Sequence, residues 1–142
     1  MIAHALGTDW QSPAGAVLEV VPAAMATAMA RLGAHDGPRV AFIHGASWWT
    51  KQWPVASFVA LGRHLVERVG AQIVLPTGDA GDRERAEEIA AALAPDAVVP
   101  ENGTLAELAA LLAACDLAVG GDTGPAHMAW AVGTPTVTLY GL

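Results

Sequence analysis

Positively charged residues are scarce in this sequence. It contains 7 lysine and arginine residues against 14 aspartate and glutamate residues, so its formal net charge at pH 7 is −7. Nucleic-acid-binding surfaces and membrane-binding patches depend on clustered positive charge, and the composition argues against both. An anionic ligand must therefore be bound by a few well-placed donors and not by a general positive field.

Cysteine is also scarce. Cys115 is the single cysteine, which excludes an internal disulfide, and its alanine-rich surroundings predict a small buried side chain in the reducing cytoplasm. Residues 1–15 lack a basic segment followed by an apolar run, which argues against a signal peptide. Residues 124–142 contain no Asp, Glu, Lys or Arg, but Gly133, Pro135 and Gly141 divide them into a short helix and a strand. This division argues against a membrane span.

Hydrophobic residues are abundant by contrast. They make up 54% of the 142 residues, and charged residues make up 15%, which is enough apolar material for the core of one ordinary domain. Residues 1–22 show no sustained periodicity of apolar residues. From Arg39 onward, short apolar runs alternate with segments of helical spacing. This alternation predicts an α/β fold with a three-layer, doubly wound parallel sheet.

Short loops separate the predicted elements. Helices are expected at Ala23–Leu32, Pro54–Val69, Asp82–Leu93, Thr104 to about Cys115, and Pro125–Val132. Strands are expected at Val40–Ile43, Ala71–Leu75, Ala97–Val99, Leu117–Gly120 and Thr136–Tyr140. Ligands of such sheets bind beyond the carboxyl ends of the strands. The loops after the first, second and fourth strands are therefore the candidate site.

The loop after the fourth strand is Gly-Gly-Asp-Thr-Gly-Pro-Ala-His, residues 120–127. A tight glycine turn leads directly into a helix, whose first amides and dipole form an anion site. The glycines let a phosphate approach the backbone, and Thr123 adds a hydroxyl. The plainer alternative is that Asp122 is an ordinary N-cap and that His127 packs in the interior.

The loop after the first strand, residues 44–54, contains a second set of donors. Ser47 offers a hydroxyl, and Lys51 offers a point charge suited to phosphate. Three tryptophans stand in this loop; the first two could shelter a ligand, and Trp53 is expected to pack in the core. The alternative for Lys51 is a solvated surface lysine.

The loop after the second strand, residues 76–82, is rich in glycine and aspartate. Its Thr77-Gly78 pair allows a flat group to lie against the backbone, and Asp82 can accept hydrogen bonds from a ribose diol. The alternative is that its acidic residues only stabilise the start of the next helix.

Together the three loops supply phosphate donors, one cation and one carboxylate, which are the components of a nucleoside-diphosphate site. The sequence has neither GxGxxG after the first strand nor GxxxxGK[ST], so the usual dinucleotide and P-loop fingerprints are absent. It also lacks a set of ligands at metal-binding spacing and a serine nucleophile elbow. We therefore expect no metal and no cofactor.

These loops resemble the C-terminal domain of family 9 glycosyltransferases, the ADP-heptose:lipopolysaccharide heptosyltransferases, which have the two-domain GT-B fold. The resemblance covers about residues 39–142. The matching segments are His44-Gly45-Ala46-Ser47 with Lys51 and Trp53-Pro54, Leu75-Pro76-Thr77-Gly78, Asp122-Thr123-Gly124-Pro125-Ala126-His127, and Gly133-Thr134-Pro135-Thr136-Val137.

The resemblance implies a role for each matching position. The residues that would hold the diphosphate are Ser47, Lys51, Thr123 and Gly124. Those that would contact the base and the ribose are Thr77, Gly78 and Asp82, and those that would face the sugar or its phosphate are Asp122 and His127. The implied reaction is metal-free, inverting transfer of a heptose from ADP-heptose to a lipid-linked Kdo or heptose acceptor. Lys51 is the catalytic candidate because it would stabilise the departing diphosphate.

The resemblance also implies a division of the chain. Residues 1–38 would be a connector from a missing N-terminal domain together with a short helix, and residues 39–142 would be a nucleotide-sugar-binding domain truncated at its C-terminus. The missing domain would bind the acceptor and supply the general base, so this chain alone is expected to be inactive. The full-length enzyme would act at the cytoplasmic face of the inner membrane, with only peripheral membrane contact. Asp82 departs from the glutamate expected of the family, which weakens its assignment.

Two other functions remain open from the residues alone. The first is a stand-alone nucleotide-binding module without catalysis. The second is a nucleotide-sugar epimerase-like domain, which would need carboxylates for acid–base chemistry in the crevice. Asp79 and Asp82 are the candidates for that chemistry, and capping or ribose binding explains both more simply.

Overall fold

In the computed structural model, a parallel sheet lies between two layers of helices. The structure describes residues 18–45 and 52–140. Within these ranges the helices are α1 (Pro22–Leu32), α2 (Val55–Val69), α3 (Ala80–Leu93), α4 (Leu105–Ala113) and α5 (Gly124–Ala131). The strands are β1 (Arg39–Ile43), β2 (Gln72–Val74), β3 (Ala97–Val98), β4 (Leu117–Gly121) and β5 (Thr136–Leu139).

The sheet has the strand order β3-β2-β1-β4-β5, and every pair is parallel. Val40 of β1 pairs with Ile73 of β2 on one side and with Leu117 of β4 on the other. The strand order therefore reverses between β1 and β4, which makes this the topological switch point of the sheet. The predicted fold class is confirmed.

Side chains along β1 alternate between the two faces of the sheet, and the core is divided into two halves accordingly. Phe42 packs with α2 and α3, and its ring centroid lies 5.3 Å from that of Phe58. Ala41 and Ile43 face the opposite side, where α1, α4 and α5 pack with small side chains. Trp53 packs edge-on against Phe58 at 5.0 Å, so its predicted place in the core is confirmed.

Local sequence explains where most helices begin and end. Gly70 takes a left-handed conformation at φ 61°, ψ 40° and terminates α2. Thr104 and Glu107 form the predicted capping box at the start of α4. The third helix begins at Ala80, two residues before the predicted Asp82, because Asp79 is its N-cap.

Cys115 is buried behind α4, as the sequence predicts. Its thiol donates to the carbonyl of Leu111 at 3.3 Å. Burial, with a smaller contribution from Asp116, raises the pKa of the Cys115 thiol to about 12. The side chain therefore serves as a small apolar group and is not ionised near neutral pH.

Helix α1 lies in the same layer as α4 and α5. It contributes Ala24, Ala28 and Leu32 to the core on that side. The division of the chain at residue 38 stays a prediction. None of the helices in the described ranges is long and apolar enough to cross a membrane.

Candidate functional site

The crevice at the switch point is bounded by the segments that follow β1, β2 and β4, at residues 44–45, 75–79 and 122–124. Ile43 at the end of β1 pairs with Gly120 of β4. A Cβ on Gly120 would collide with the carbonyl of Ile43, so glycine is required for this close approach. The sheet thereby brings two of the three predicted loops together at one edge.

The first backbone amides of α5 lie at the edge of the crevice, directly after β4. Thr123 is the N-cap residue, with extended backbone at φ −142° and ψ 167°, but its side chain makes no capping hydrogen bond. Its hydroxyl oxygen is buried and has no hydrogen-bond partner among the described residues. A Cβ on Gly124 would meet nothing within 4 Å. The first turn of α5 therefore has no side-chain cap and has open space beside Gly124, which is compatible with an anion site.

Asp122 and His127 form a pair across this turn. Nε2 of His127 lies 2.9 Å from Oδ1 of Asp122, and the side chains are 75% and 38% exposed respectively. The alternative in which Asp122 is the N-cap is wrong, because Thr123 takes that position and Asp122 turns toward the histidine. The alternative in which His127 is packed in the interior is also wrong, because its ring is mostly exposed.

The start of α3 brings a carboxylate to the same crevice. Asp79 accepts a hydrogen bond from the amide of Asp82 at 2.9 Å, so the predicted capping role of Asp79 is confirmed. Asp82 itself accepts from the amide of Gly78 at 3.2 Å. A Cβ on Gly45 would collide with the Asp82 carboxylate, so Asp82 bridges the segments after β1 and β2.

His44 is a buried polar residue at the end of β1 that the sequence did not identify as functional. It is 2% exposed, and its Nε2 lies 3.1 Å from the carbonyl of Pro76, to which an Nε2–H would donate. Within the part of the chain that the structure describes, its Nδ1 has no hydrogen-bond partner. Burial lowers the pKa of His44; Arg85 contributes in the same direction, and Asp82 opposes the shift.

Two adjoining cavities extend from the crevice along the loops after β2 and β3. The smaller, about 70 Å³, is lined by His44, Gly45, Asp82 and Pro125 among others. The larger is about 180 Å³ and lies against the loop between β3 and α4. Both are lined by Pro76, Thr77, Gly78 and Leu108. The two cavities therefore share a wall, and together they extend from that loop to the start of α5.

The larger cavity has polar walls that sequence reasoning did not predict. The hydroxyl of Thr77 donates to Oδ1 of Asn102 on the loop after β3. Arg31 of α1 reaches the same wall and forms a 3.3 Å ion pair with Glu107. Both contacts join residues far apart in the sequence, and no local motif marks Arg31 or Asn102.

The whole sequence matches one protein family. The model for glycosyltransferase family 9 (heptosyltransferase) matches residues 1–142. The chain belongs to this family.

Individual family members agree with this assignment. Lipopolysaccharide heptosyltransferase 1 of Pseudomonas aeruginosa is 42% identical over 104 residues, which are 73% of this chain and 29% of that protein. Lipopolysaccharide heptosyltransferase 2 of Escherichia coli is 34% identical over 112 residues, covering 75% of this chain and 32% of that protein. The chain thus spans about 30% of the length of these curated relatives.

Solved structures of the family share the fold described above. E. coli ADP-heptose LPS heptosyltransferase II superposes with a TM-score of 0.74 at 28% identity, over 87% of this chain and 39% of that one. E. coli heptosyltransferase WaaC with ADP-2-deoxy-2-fluoro heptose superposes with a TM-score of 0.69 at 29% identity. That match covers 98% of this chain and 42% of WaaC.

The family site residues predicted from the sequence divide into two groups. Ser47 and Lys51 lie outside the described residues, so their roles stay predictions. Within the described ranges, no group of three or more His, Cys, Asp or Glu side chains could hold a metal ion. The remaining predicted residues lie on the segments after β2 and β4 or in the first turns of the helices that follow them, and they are Thr77, Gly78, Asp82, Asp122, Thr123, Gly124 and His127.

Proposed function

We propose that this chain binds the nucleotide-sugar donor of an inverting heptosyltransferase that builds the lipopolysaccharide inner core, with ADP-heptose as the donor. The observation that carries the proposal is the pair of adjoining cavities that extends from the β3–α4 loop to the start of α5, at the switch point. Nucleotides bind across such switch points in doubly wound sheets. A family member solved with an ADP-heptose analogue supports the choice of donor.

The nucleoside is proposed to occupy the two cavities. The larger has a volume of about 180 Å³ and walls formed by the Thr77-Gly78 turn, Asn102 and Leu108, so it suits a flat base. The smaller adjoins it and has the Asp82 carboxylate on its wall. One oxygen of Asp82 accepts from Gly78, and a carboxylate has further acceptor sites for a ribose diol.

The diphosphate is proposed to lie at the start of α5. The backbone amides of Thr123 and Gly124 would bind it there, since the Thr123 side chain does not cap the helix and a helix N-terminus favours negative charge. Ser47 and Lys51 would add a hydroxyl and a cation from the other side. Their contribution to catalysis would be to stabilise the charge that develops on the departing ADP.

The Asp122–His127 pair is proposed to face the sugar or the phosphate that bears it. Both side chains are accessible at the start of α5, beyond the proposed diphosphate position. The acceptor would be a lipid-linked Kdo sugar at the cytoplasmic face of the inner membrane. Since this chain spans about 30% of its relatives' length, we propose that acceptor binding and proton removal require further protein.

An epimerase function is disfavoured by the same geometry. It would need carboxylates available for proton transfer. Asp79 is engaged as the cap of α3, and Asp82 is hydrogen-bonded to Gly78 and packed against Gly45.

Calorimetric titration with ADP, UDP and GDP tests the donor. We expect ADP to bind most tightly, and equal or tighter binding of UDP would contradict the assignment. Asp82→Asn should reduce the preference for ADP over 2′-deoxy-ADP if the carboxylate binds the ribose. If Asp82→Asn leaves this preference unchanged, Asp82 does not bind the ribose, and the proposed roles of the other site residues are unaffected.

The need for further protein has its own assay. ADP release from ADP-heptose is measured with a Kdo-lipid acceptor, for the 142-residue chain and for a version extended upstream. We expect acceptor-dependent release only from the extended version, because positioning of two substrates is worth roughly 7–11 kcal/mol of the barrier. Equal rates would show that this chain contains the whole catalytic apparatus.

A further inference from the structure

Arg85 of α3 contacts the backbone on both sides of the β1–α2 connection. Its Nε donates to the carbonyl of His44 at 3.2 Å, immediately after β1. Its terminal nitrogen donates to the carbonyl of Trp53, two residues before α2 begins. A single half-buried guanidinium therefore joins two points that are nine residues apart in the sequence.

Other contacts fix the β1 end of this connection. The imidazole of His44 is hydrogen-bonded to the carbonyl of Pro76 at 3.1 Å. The Asp82 carboxylate, one turn before Arg85 on α3, packs against Gly45. The Trp53 end is held by ring packing on Phe58, with 5.0 Å between the centroids. Of these contacts, the Arg85 side chain is the one that ties the two ends to each other.

We infer that Arg85 is a positioning residue for diphosphate binding, acting by fixing the separation between the end of β1 and the start of α2. This inference rests on the proposed function, because the connection contains Ser47 and Lys51, which the family resemblance assigns to the diphosphate. Arg85 touches neither the nucleoside cavities nor the first turn of α5. It lines a separate, open cavity of about 520 Å³, but four acidic side chains line that cavity too, so it does not suit a diphosphate. The effect of Arg85 on ligand binding is therefore exerted through the backbone of the connection.

The chemistry of the contact requires arginine. A guanidinium presents several donors in a rigid plane, so Nε and a terminal nitrogen reach two carbonyls at a fixed separation. A lysine has the same charge but offers its donors from one nitrogen atom, and cannot hold the same two carbonyls in that geometry. Arg85→Lys therefore removes the bridge while it preserves the charge of the protein, which matters in a chain with a net charge of −7.

Arg83 on the same helix is a matched comparison. It donates to the carbonyl of Pro100 at 3.1 Å, on the wall of the larger cavity, and pairs with Glu87. It thus holds the loop proposed to contact the base. Any loss of affinity in Arg83→Lys should fall equally on ADP and adenosine, whereas loss in Arg85→Lys should fall on ADP alone.

The test measures ADP and adenosine affinity for the wild type, Arg85→Lys and Arg83→Lys, together with hydrogen exchange of the unliganded proteins. We expect Arg85→Lys to weaken ADP by about tenfold or more, with adenosine changed less than about twofold. Exchange in peptides covering residues 43–54 should rise in Arg85→Lys, with exchange in β4 and α5 unchanged. Arg83→Lys should not alter exchange in residues 43–54.

Each outcome decides the inference. Faster exchange confined to residues 43–54 together with selective loss of ADP supports it. Unchanged exchange in those residues, or equal weakening of ADP and adenosine, overturns it. If the wild type binds neither ligand, the proposed function fails and Arg85 loses its functional role with it, even where exchange in residues 43–54 still rises.

Discussion

His127 places Nε2 2.9 Å from Oδ1 of Asp122, across the first turn of α5. A carboxylate at the mouth of an anion site repels a phosphate, while the amides of the helix attract it. The histidine occupies one oxygen of that carboxylate and presents its second ring nitrogen on an exposed face. In the proposed site, the pair would therefore adjust the charge that a diphosphate sugar meets.

Substituting the two members of this pair is expected to change ADP affinity in different directions. Asp122→Asn removes a negative charge next to the proposed phosphate position and should leave ADP binding unchanged or tighter. His127→Gln leaves the carboxylate without its imidazole partner and should weaken ADP by about 0.5–1.5 kcal/mol. Calorimetric titration of both variants measures the difference. Equal weakening by the two substitutions would mean that the pair only supports the shape of the loop.

Thr123 and Thr134 provide a matched pair of threonines for a second prediction. The hydroxyl oxygen of Thr123 is buried without a hydrogen-bond partner in residues 18–45 and 52–140. Thr123→Val therefore removes a polar group that makes no hydrogen bond there in the unliganded protein. We expect unchanged or higher thermal stability. ADP affinity should fall by about 1.5–3 kcal/mol if the hydroxyl binds a phosphate oxygen, the range for a hydrogen bond to a charged group.

The same substitution at Thr134 should have the reverse effect. Its buried hydroxyl donates to the carbonyl of Leu112 at 2.8 Å, far from the start of α5. Thr134→Val should lower the free energy of unfolding by about 1 kcal/mol and leave ADP affinity unchanged. Loss of stability in Thr123→Val as large as in Thr134→Val would show that the Thr123 hydroxyl is structural.

The order of elements could be predicted because it follows from local sequence. Apolar spacing and the Thr104 capping box fix the strands and helices to within about two residues of their observed bounds. The three loops were identified because parallel strands all present their carboxyl ends at one edge of the sheet. The alternative in which Asp122 is an N-cap failed on a local choice, since either of two adjacent residues could serve as the N-cap.

Long-range contacts account for what the sequence did not reveal. Arg85 lies 41 and 32 residues from the two carbonyls that it joins, and Arg31 lies 76 residues from Glu107. His44 stood in the family motif, but its burial depends on the packing of segments from β2 and α3. Such pairs have no periodic signal, because they arise only after the sheet is assembled.

Lys51 remains the cation that the family resemblance assigns to the diphosphate. Lys51→Ala should weaken ADP by about 1–3 kcal/mol, the scale of a lost charge-assisted hydrogen bond, and should hardly affect adenosine. Arg68→Ala is the control, because this exposed residue lies in the last turn of α2, at the opposite edge of the sheet from the crevice. Calorimetric titration of ADP and of adenosine into each variant measures the effect. Equal losses in the two variants would indicate a general field effect, and equal losses for the two ligands would make Lys51 structural.

The last prediction concerns the pH dependence of stability and comes from His44. Burial lowers the pKa of this histidine below its ordinary value of 6.5, so the unfolded chain binds the proton at a higher pH than the folded one. Stability from the neutral ring is present above about pH 6.5 and is lost as the pH falls through 6.5 toward the folded-state pKa, by at most ~1.4 kcal/mol per pH unit. His44→Gln removes this titration and can still donate an amide hydrogen to the carbonyl of Pro76. Urea unfolding of both proteins from pH 8 to pH 5 isolates the His44 contribution, because the two proteins differ in no other ionisable group. We expect the wild type to lose more stability than His44→Gln over this range, and parallel curves would contradict a neutral, buried His44.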